Sequence, residues 1–230
     1  MKVFAVSSHS AGKTTGGIRE VKKLLKENKK STLVISVITL ILFVIAGCSG
    51  TQDSLPKIYT FDGLHTSFVN QDSETIVFPT DYKGKVVMMS FIYTHCPDVC
   101  PMTINNLHEL QDSLSLQGIK GVKFVSLTYD PNRDTPSVLK HYAEERGIKF
   151  DDWDFLTGAK ADIDSVLGRV RIIYHMVDSS RTKTGQLVYF IKHADECVLV
   201  DGQGRVRGVY VGSRMDFAGI ISDIKELRRE

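Results

Sequence analysis

Residues 85–101 read KVVMMSFIYTHCPDVCP. Residues 85–93 (KVVMMSFIY) form a continuous apolar run with no alternation, the pattern of a strand buried on both faces. Ile104, Leu107, Leu110 and Leu114 then recur at helical spacing, so Cys96 and Cys100 lie where a buried strand gives way to a helix. Residues 122–129 (VKFVSLTY) make a second buried strand, and Asp134-Thr135-Pro136 is a helix-start signal leading to Leu139, Tyr142 and Ala143. Residues 153–156 suggest a short strand, followed by a helix over 163–170. Residues 178–186 (DSSRTKTGQ) are a polar, hairpin-like insertion. Residues 197–201 and 206–211 flank Gly202-Gln203-Gly204 as an antiparallel pair, and residues 216–229 close the chain as an amphipathic helix. This order is that of an α/β thioredoxin-like sandwich: a mixed central sheet flanked by helices, with a hairpin insertion before the last strands. Met88 and Met89 fall inside the buried strand and read as core rather than as methionine ligands.

The chain has 230 residues, 42% hydrophobic, 24% charged and 9% aromatic, a composition that excludes a disordered chain. Four cysteines in that length exclude a disulfide-dense mini-protein. The net charge of +2 is unevenly spread, because residues 1–47 hold 8 Lys and Arg against 2 Asp and Glu. The remainder is acidic, so no basic surplus is left in the body to neutralise phosphates, and nucleic-acid binding is not expected.

The basic head reads as an export signal. Lys22, Lys23, Lys26, Lys29 and Lys30 end a charged n-region (residues 1–30), and residues 31–47 are an uncharged h-region. Ile45-Ala46-Gly47-Cys48 resembles a bacterial lipobox, in which Cys48 is lipidated and becomes the mature N-terminus. An uncleaved single-pass anchor is the other reading of the same run; both place the body outside the cytoplasm. The n-region is long enough that translation starting near Val21 is a further expectation. Gly12-Lys13-Thr14 lacks the first glycine and the preceding strand of a phosphate loop, and carries no function. Residues 48–57 form a short polar tether, and residues 58–230 one domain.

Two cysteines four apart at a helix start can sit one above the other on one helix face, close enough for a disulfide or for one metal ion. Pro97 suits the first helical position, and the helix N-terminus favours thiolate. Soft thiolates favour Cu(I) and zinc over hard cations. A plain structural disulfide remains open, although a bridge within one turn closes almost no loop and would stabilise little.

The stretch from Phe91 to Pro101 resembles the signature of the Sco/SenC family, copper-binding thioredoxin-like proteins that assist cytochrome c oxidase assembly. Residues 126–136 (SLTYDPNRDTP), 153–158 (WDFLTG) and 189–193 (YFIKH) resemble further family segments, so the likeness spans roughly residues 58–228. The resemblance implies Cys96 and Cys100 as thiolate ligands and His193 as the imidazole ligand of one copper, as Cu(I) or Cu(II). Asp98, between the thiols, is a candidate to tune them, or else a first-turn carboxylate; Asp134 is a second acidic residue in a matching segment. The family carries Ser after the ligand histidine where this chain has Ala194, which touches a local hydrogen bond rather than the ligand. Cys197 reads as a buried inert thiol. His95 is the rival to His193; His65, His108, His141 and His175 have no metal-spaced partner, and His9 precedes the cleavage site.

The resemblance implies a membrane-tethered extracytoplasmic chaperone, served by a copper donor protein, that assists the binuclear copper site of cytochrome c oxidase subunit II or a similar acceptor. The alternative is a thiol–disulfide oxidoreductase in which Cys96 and Cys100 are a redox dithiol reducing the acceptor's cysteines. A peroxidase using Cys96 has only the fold behind it.

Overall fold

A computed structural model of the chain describes residues 55–184 and 187–230; of Asp178 and Leu187 it describes the backbone alone. The stretch read as an export signal, Cys48 and most of the stretch read as a tether therefore lie outside the described residues. In chain order the elements are β1 (Tyr59–Thr60), β2 (Thr66–Val69), β3 (Thr75–Phe78), a 3-10 turn (Thr80–Tyr82), β4 (Val86–Ile92) and α1 (Val99–Leu116). They continue as β5 (Val122–Thr128), α2 (Pro136–Glu144), β6 (Trp153–Gly158), α3 (Lys160–Arg169), β7 (Tyr174–Arg181) and β8 (Leu187–His193). β9 (Glu196–Val200), β10 (Arg205–Val211) and α4 (Phe217–Leu227) complete the chain. Among the described residues no helix is long and apolar enough to cross a membrane.

The main sheet has eight strands in the order β1-β10-β9-β4-β5-β6-β2-β3. β4, β5 and β6 are parallel, and the other pairs are antiparallel, which makes the sheet mixed as the sequence suggests. All seven residues of β4 are buried, because β5 runs along one edge and β9 along the other while other elements cover both faces. Met88 and Met89 are fully buried within it.

The helices form where the apolar spacing places them. α1 buries Ile104, Leu107, Leu110 and Leu114. α2 starts with Pro136 at its first position and Thr135 as a cap whose side chain accepts from Val138 N. α4 is capped by Asp216, which accepts from Gly219 N. α3 begins at Lys160, three residues before the first apolar position that marks it in the sequence.

Beneath the sheet centre, Trp153 donates through Nε1 to Ser126 Oγ at 2.9 Å, and Ser126 Oγ lies 2.9 Å from Ser90 Oγ. These three polar groups satisfy one another inside an apolar core. The described part of the polar insertion, residues 178–184, takes in the end of β7, and β7 pairs with β8 as a separate two-stranded sheet. The base of this hairpin pairs Tyr174 with His193 and stands near the carboxyl ends of β4 and β5. In open α/β sheets that end of the parallel strands is where ligands bind.

Candidate metal centre

Tyr93 ends the apolar run, and the backbone then turns, with Cys96 N donating to Tyr93 O at 3.2 Å. The helix begins only at Val99, with Asp98 as its N-cap residue. Two expectations are corrected here. Pro97 is not the first helical residue, and Cys96 is not on the helix face: a proline disfavours helical backbone in the residue before it, so Cys96 stays in the turn. Cys100 sits in the first turn of α1. The thiols meet because the turn folds Cys96 back over that first turn.

His193, at the end of β8, completes the group. Its Nε2 is 3.4 Å from Cys100 Sγ and 3.9 Å from Cys96 Sγ, and the three donor atoms lie within 4.8 Å of one another. Sulfur and nitrogen donors about 2.3 and 2.0 Å from one ion stand roughly 3.7 Å apart in a trigonal arrangement, so the spacing fits one soft ion. Cys96, Cys100 and Cys197 are all free thiols. Both of the pair are buried, but Cys96, at 8% exposed against 1% for Cys100, is the more accessible thiol.

The imidazole is held on every side. Its Nδ1 donates to Ala194 O at 2.8 Å, which leaves Nε2 facing the sulfurs. The backbone carbonyl thus supplies the hydrogen bond that a side chain at position 194 does not. Tyr129 packs on the ring at 4.7 Å, and Tyr93 meets it edge-on at 5.7 Å. Tyr93 Oη accepts from Ile191 N at 3.2 Å, and Arg133 lies 3.7 Å over the Tyr189 ring while pairing with Asp130 and donating to Tyr189 O. These contacts fix the hairpin base to the loop after β5.

The electrostatics split the two thiols. The Cys100 thiol donates toward Cys96, and this contact, against the opposing effect of burial, pulls Cys96 down to about 3. Hydrogen bonding to His193 and the N–H groups of Cys100 and Asp98 adds to it, so the helix start contributes but is not the main cause. The same contact with Cys96, then burial, pushes Cys100 well above an ordinary thiol. Thiolate at neutral pH is therefore a property of Cys96 alone in the metal-free centre. Burial would lower His193, but the hydrogen bond to Cys96 and the one to Ala194 outweigh it and raise it.

Asp98 is exposed on the rim of a cleft of about 380 Å³ that also takes in Cys96, Phe190, His193 and Asp195. Its side chain makes no capping bond. Asp134 is fully buried and holds the turn: its carboxylate accepts from Thr94 N at 3.1 Å and from the hydroxyls of Thr94 and Thr128. His95 is exposed, with Nδ1 2.9 Å from Thr94 Oγ1, outside the donor group. Cys197 is wholly buried, and burial pushes its thiol well up, as suits an inert core cysteine. His108 and His141 pair with acidic residues one turn away on their own helices. Sequence reasoning missed Asp195, whose carboxylate gathers several donors beside the centre; no spacing signal marks it.

Such a centre can hold one soft metal ion with an open position, or exchange disulfides through a more accessible, low-pKa thiol and a more deeply buried partner. A family model described as SCO1/SenC matches residues 63–229. The chain is similar to a SCO1/SenC family lipoprotein from Bacillus anthracis, with 30% identity, TM-score 0.59, and 71% of this chain and 92% of that one covered. It is also similar to BsSco, a member of the Sco family of cytochrome c oxidase assembly proteins in which a disulfide switch is identified (27% identity, TM-score 0.61, 76% and 98% covered). A third similar structure is ScoI of Bradyrhizobium japonicum with copper bound, at 26% identity, TM-score 0.58, and 72% and 96% covered.

Proposed function

The chain belongs to the SCO1/SenC family, and on that footing we propose that it is a membrane-tethered copper chaperone facing the extracytoplasmic side. It takes one copper through Cys96, Cys100 and His193 from a donor protein. It passes the metal to the binuclear copper site of cytochrome c oxidase subunit II or a similar acceptor. The observation that carries the reading is the convergence of two free thiols and one imidazole nitrogen from segments more than ninety residues apart. A structural disulfide would need no histidine there. Copper-bound ScoI and the Bacillus anthracis lipoprotein support the cargo and the tether.

Copper is the cargo, and the residues order its handling. The Cys96 thiolate is the more accessible first donor. The Cys100 thiol gives up its proton as the metal enters, so loading releases a proton. Release to the acceptor is stepwise ligand exchange: incoming thiols replace the three donors one at a time with no free ion. Asp98, on the rim, is placed to tune the charge of the occupied centre, and Cys48 carries the lipid.

The second reading is a thiol–disulfide oxidoreductase acting on the acceptor's cysteines. The split between a more accessible low-pKa thiol and a more deeply buried high-pKa one favours it, as does the disulfide switch of BsSco. Replacing the gene in its own host by variants separates the two. A chaperone with His193→Ala leaves the oxidase short of copper, like Cys96→Ser; a reductase with His193→Ala still supports full oxidase activity, which would overturn the chaperone reading. Cys48→Ala should move the protein from the membrane to the soluble fraction, and retention at the membrane would refute the lipid anchor.

A further inference from the structure

The copper reading leaves one mechanical question open. Cys96 lies in the turn that joins the main sheet to α1 and Cys100 in the first turn of α1, whereas His193 ends a hairpin that forms a separate sheet. Something must fix the distance between the two pieces before metal arrives, and the segment that does so runs from His193 through Ala194 to Asp195.

Asp195 is where three parts of the fold meet. Its Oδ1 is 3.1 Å from Thr103 Oγ1, one turn beyond Cys100 on α1, a hydroxyl that also lies 3.0 Å from Val99 O. Both carboxylate oxygens accept from Ser213 N at 3.1 Å, and Oδ2 accepts from Ser213 Oγ. The Asp195 carbonyl accepts from Gly212 N at 3.2 Å, and the Gly212 carbonyl accepts from Asn106 Nδ2 on α1 at 2.9 Å. The packing is close enough that a Cβ at Gly212 would stand 2.6 Å from Thr103 and 2.8 Å from Asp195 Oδ1, so only glycine fits there. Thr103 and Asn106 thus bind the loop before β9 and the loop after β10 onto the helix that carries Cys100.

The link to the metal centre is one residue long. The carbonyl that orients His193 belongs to Ala194, immediately before Asp195. Shifting the Asp195 backbone shifts that carbonyl and swings Nε2 relative to both sulfurs.

We infer that Asp195 is a positioning residue of the metal centre, a carboxylate clamp that ties the His193 loop to the Cys100 helix and sets the imidazole before metal binds. It acts through hydrogen-bond geometry. The inference rests on the copper reading for its consequence but not for its test in the metal-free protein.

Outer contacts of a metal ligand typically change affinity by about 10–100-fold, and that range is expected for Cu(II) with Asp195→Ala in the full-length protein. Cu(I), held by the two thiols, should weaken less. Asp195→Asn keeps an oxygen for Thr103 and Ser213 N and turns its amide to Ser213 Oγ, so it should bind Cu(II) within about threefold of wild type, with the same thiolate-to-copper absorption band. Thr103→Val, a gentler change should Asp195→Ala fail to fold, should weaken Cu(II) by at least about threefold.

In the metal-free protein at alkaline pH, nitrogen NMR of the His193 ring should show a fixed Nδ1–H tautomer in wild type and Asp195→Asn and an averaged one in Asp195→Ala or Thr103→Val. The clamp is overturned if the alanine and valine variants keep the wild-type tautomer. It is also overturned if asparagine is as damaging as alanine, which would make charge and not geometry the operative feature. Failure of wild type to take copper would end the chaperone reading and leave the tautomer comparison to decide the clamp.

Discussion

Replacing Asp134 by alanine should destabilise the protein and loosen the turn that carries Cys96. The carboxylate is fully buried and accepts from Thr94 N at 3.1 Å and from the hydroxyls of Thr94 and Thr128. In the alanine variant the Thr94 hydroxyl can turn to His95 Nδ1, 2.9 Å away. The Thr94 N–H and the Thr128 hydroxyl proton are left without acceptors, although Thr128 Oγ1 still accepts from Asp130 N at 2.9 Å. A buried donor stranded in this way costs about 1–3 kcal/mol, so two of them cost about 3 kcal/mol once some relaxation is allowed. For a domain of this size 1 kcal/mol moves the melting point by about 2–4 °C, so Asp134→Ala should melt about 6–12 °C below wild type.

Asparagine preserves every contact, with its oxygen taking the Thr94 N–H and Thr128 protons and its amide donating to Thr94 Oγ1; it should cost under about 1 kcal/mol. Burial raises the Asp134 carboxyl above its ordinary 3.8, although hydrogen bonds from Thr128 and Thr94 oppose that rise. A raised carboxyl contributes its full stability below that ordinary value and loses it as pH rises through the folded value. The comparison of wild type with Asp134→Asn should therefore shift in favour of asparagine as pH rises above the carboxyl's ordinary 3.8. Thermal melts followed by the fluorescence of Trp153, the single tryptophan, give all three numbers. An alanine variant within about 1 kcal/mol of wild type, or an asparagine variant as damaged as alanine, would refute the account of this contact.

Three further outcomes follow from the same contacts. In the reduced protein Cys96 should be alkylated at a rate nearly flat from about pH 5 to pH 8, and Cys100→Ala should raise its titration more than His193→Ala; mass mapping showing a free-thiol pH profile would contradict this. Ser126→Ala strands the indole N–H of Trp153 and should cost about 1–3 kcal/mol in a denaturant melt. Burial would raise Asp201, but Arg205 N and the guanidiniums of Arg207 and Arg205 outweigh it and hold it low. Its stabilisation is thus present above its ordinary 3.8 and lost as pH falls through the lower folded value. Asp201→Asn should accordingly melt well below wild type at about pH 7, with the gap closing toward about pH 2.

The interior strands were legible because burial on both faces leaves an unbroken apolar run, as in β4 and β5. β1, β2 and β3 carry no legible signal, since they span two to four residues each, β1 burying none of its residues and β2 and β3 only some of theirs. The hairpin β7–β8 is legible only at its polar stretch, because no residue of β7 whose side chain is described is buried and neither arm pairs with the main sheet. The three donors Cys96, Cys100 and His193 were legible from motif resemblance. α1 starts two residues beyond the position that Pro97 suggests in the sequence, because Pro97 holds Cys96 out of the helix. Asp195 had no signal at all: its partners Thr103 and Ser213 come together only in three dimensions.

The central claim is that His193 and the two cysteines form one copper centre. Titration of Cu(I), then Cu(II), into the reduced protein alongside His193→Ala tests it most directly. The account predicts one copper per chain for wild type in both states, with proton release, and loss of tight Cu(II) binding in the variant. If His193→Ala bound Cu(II) as tightly as wild type, His193 would not be a ligand, and Cys96 and Cys100 would stand as a redox dithiol.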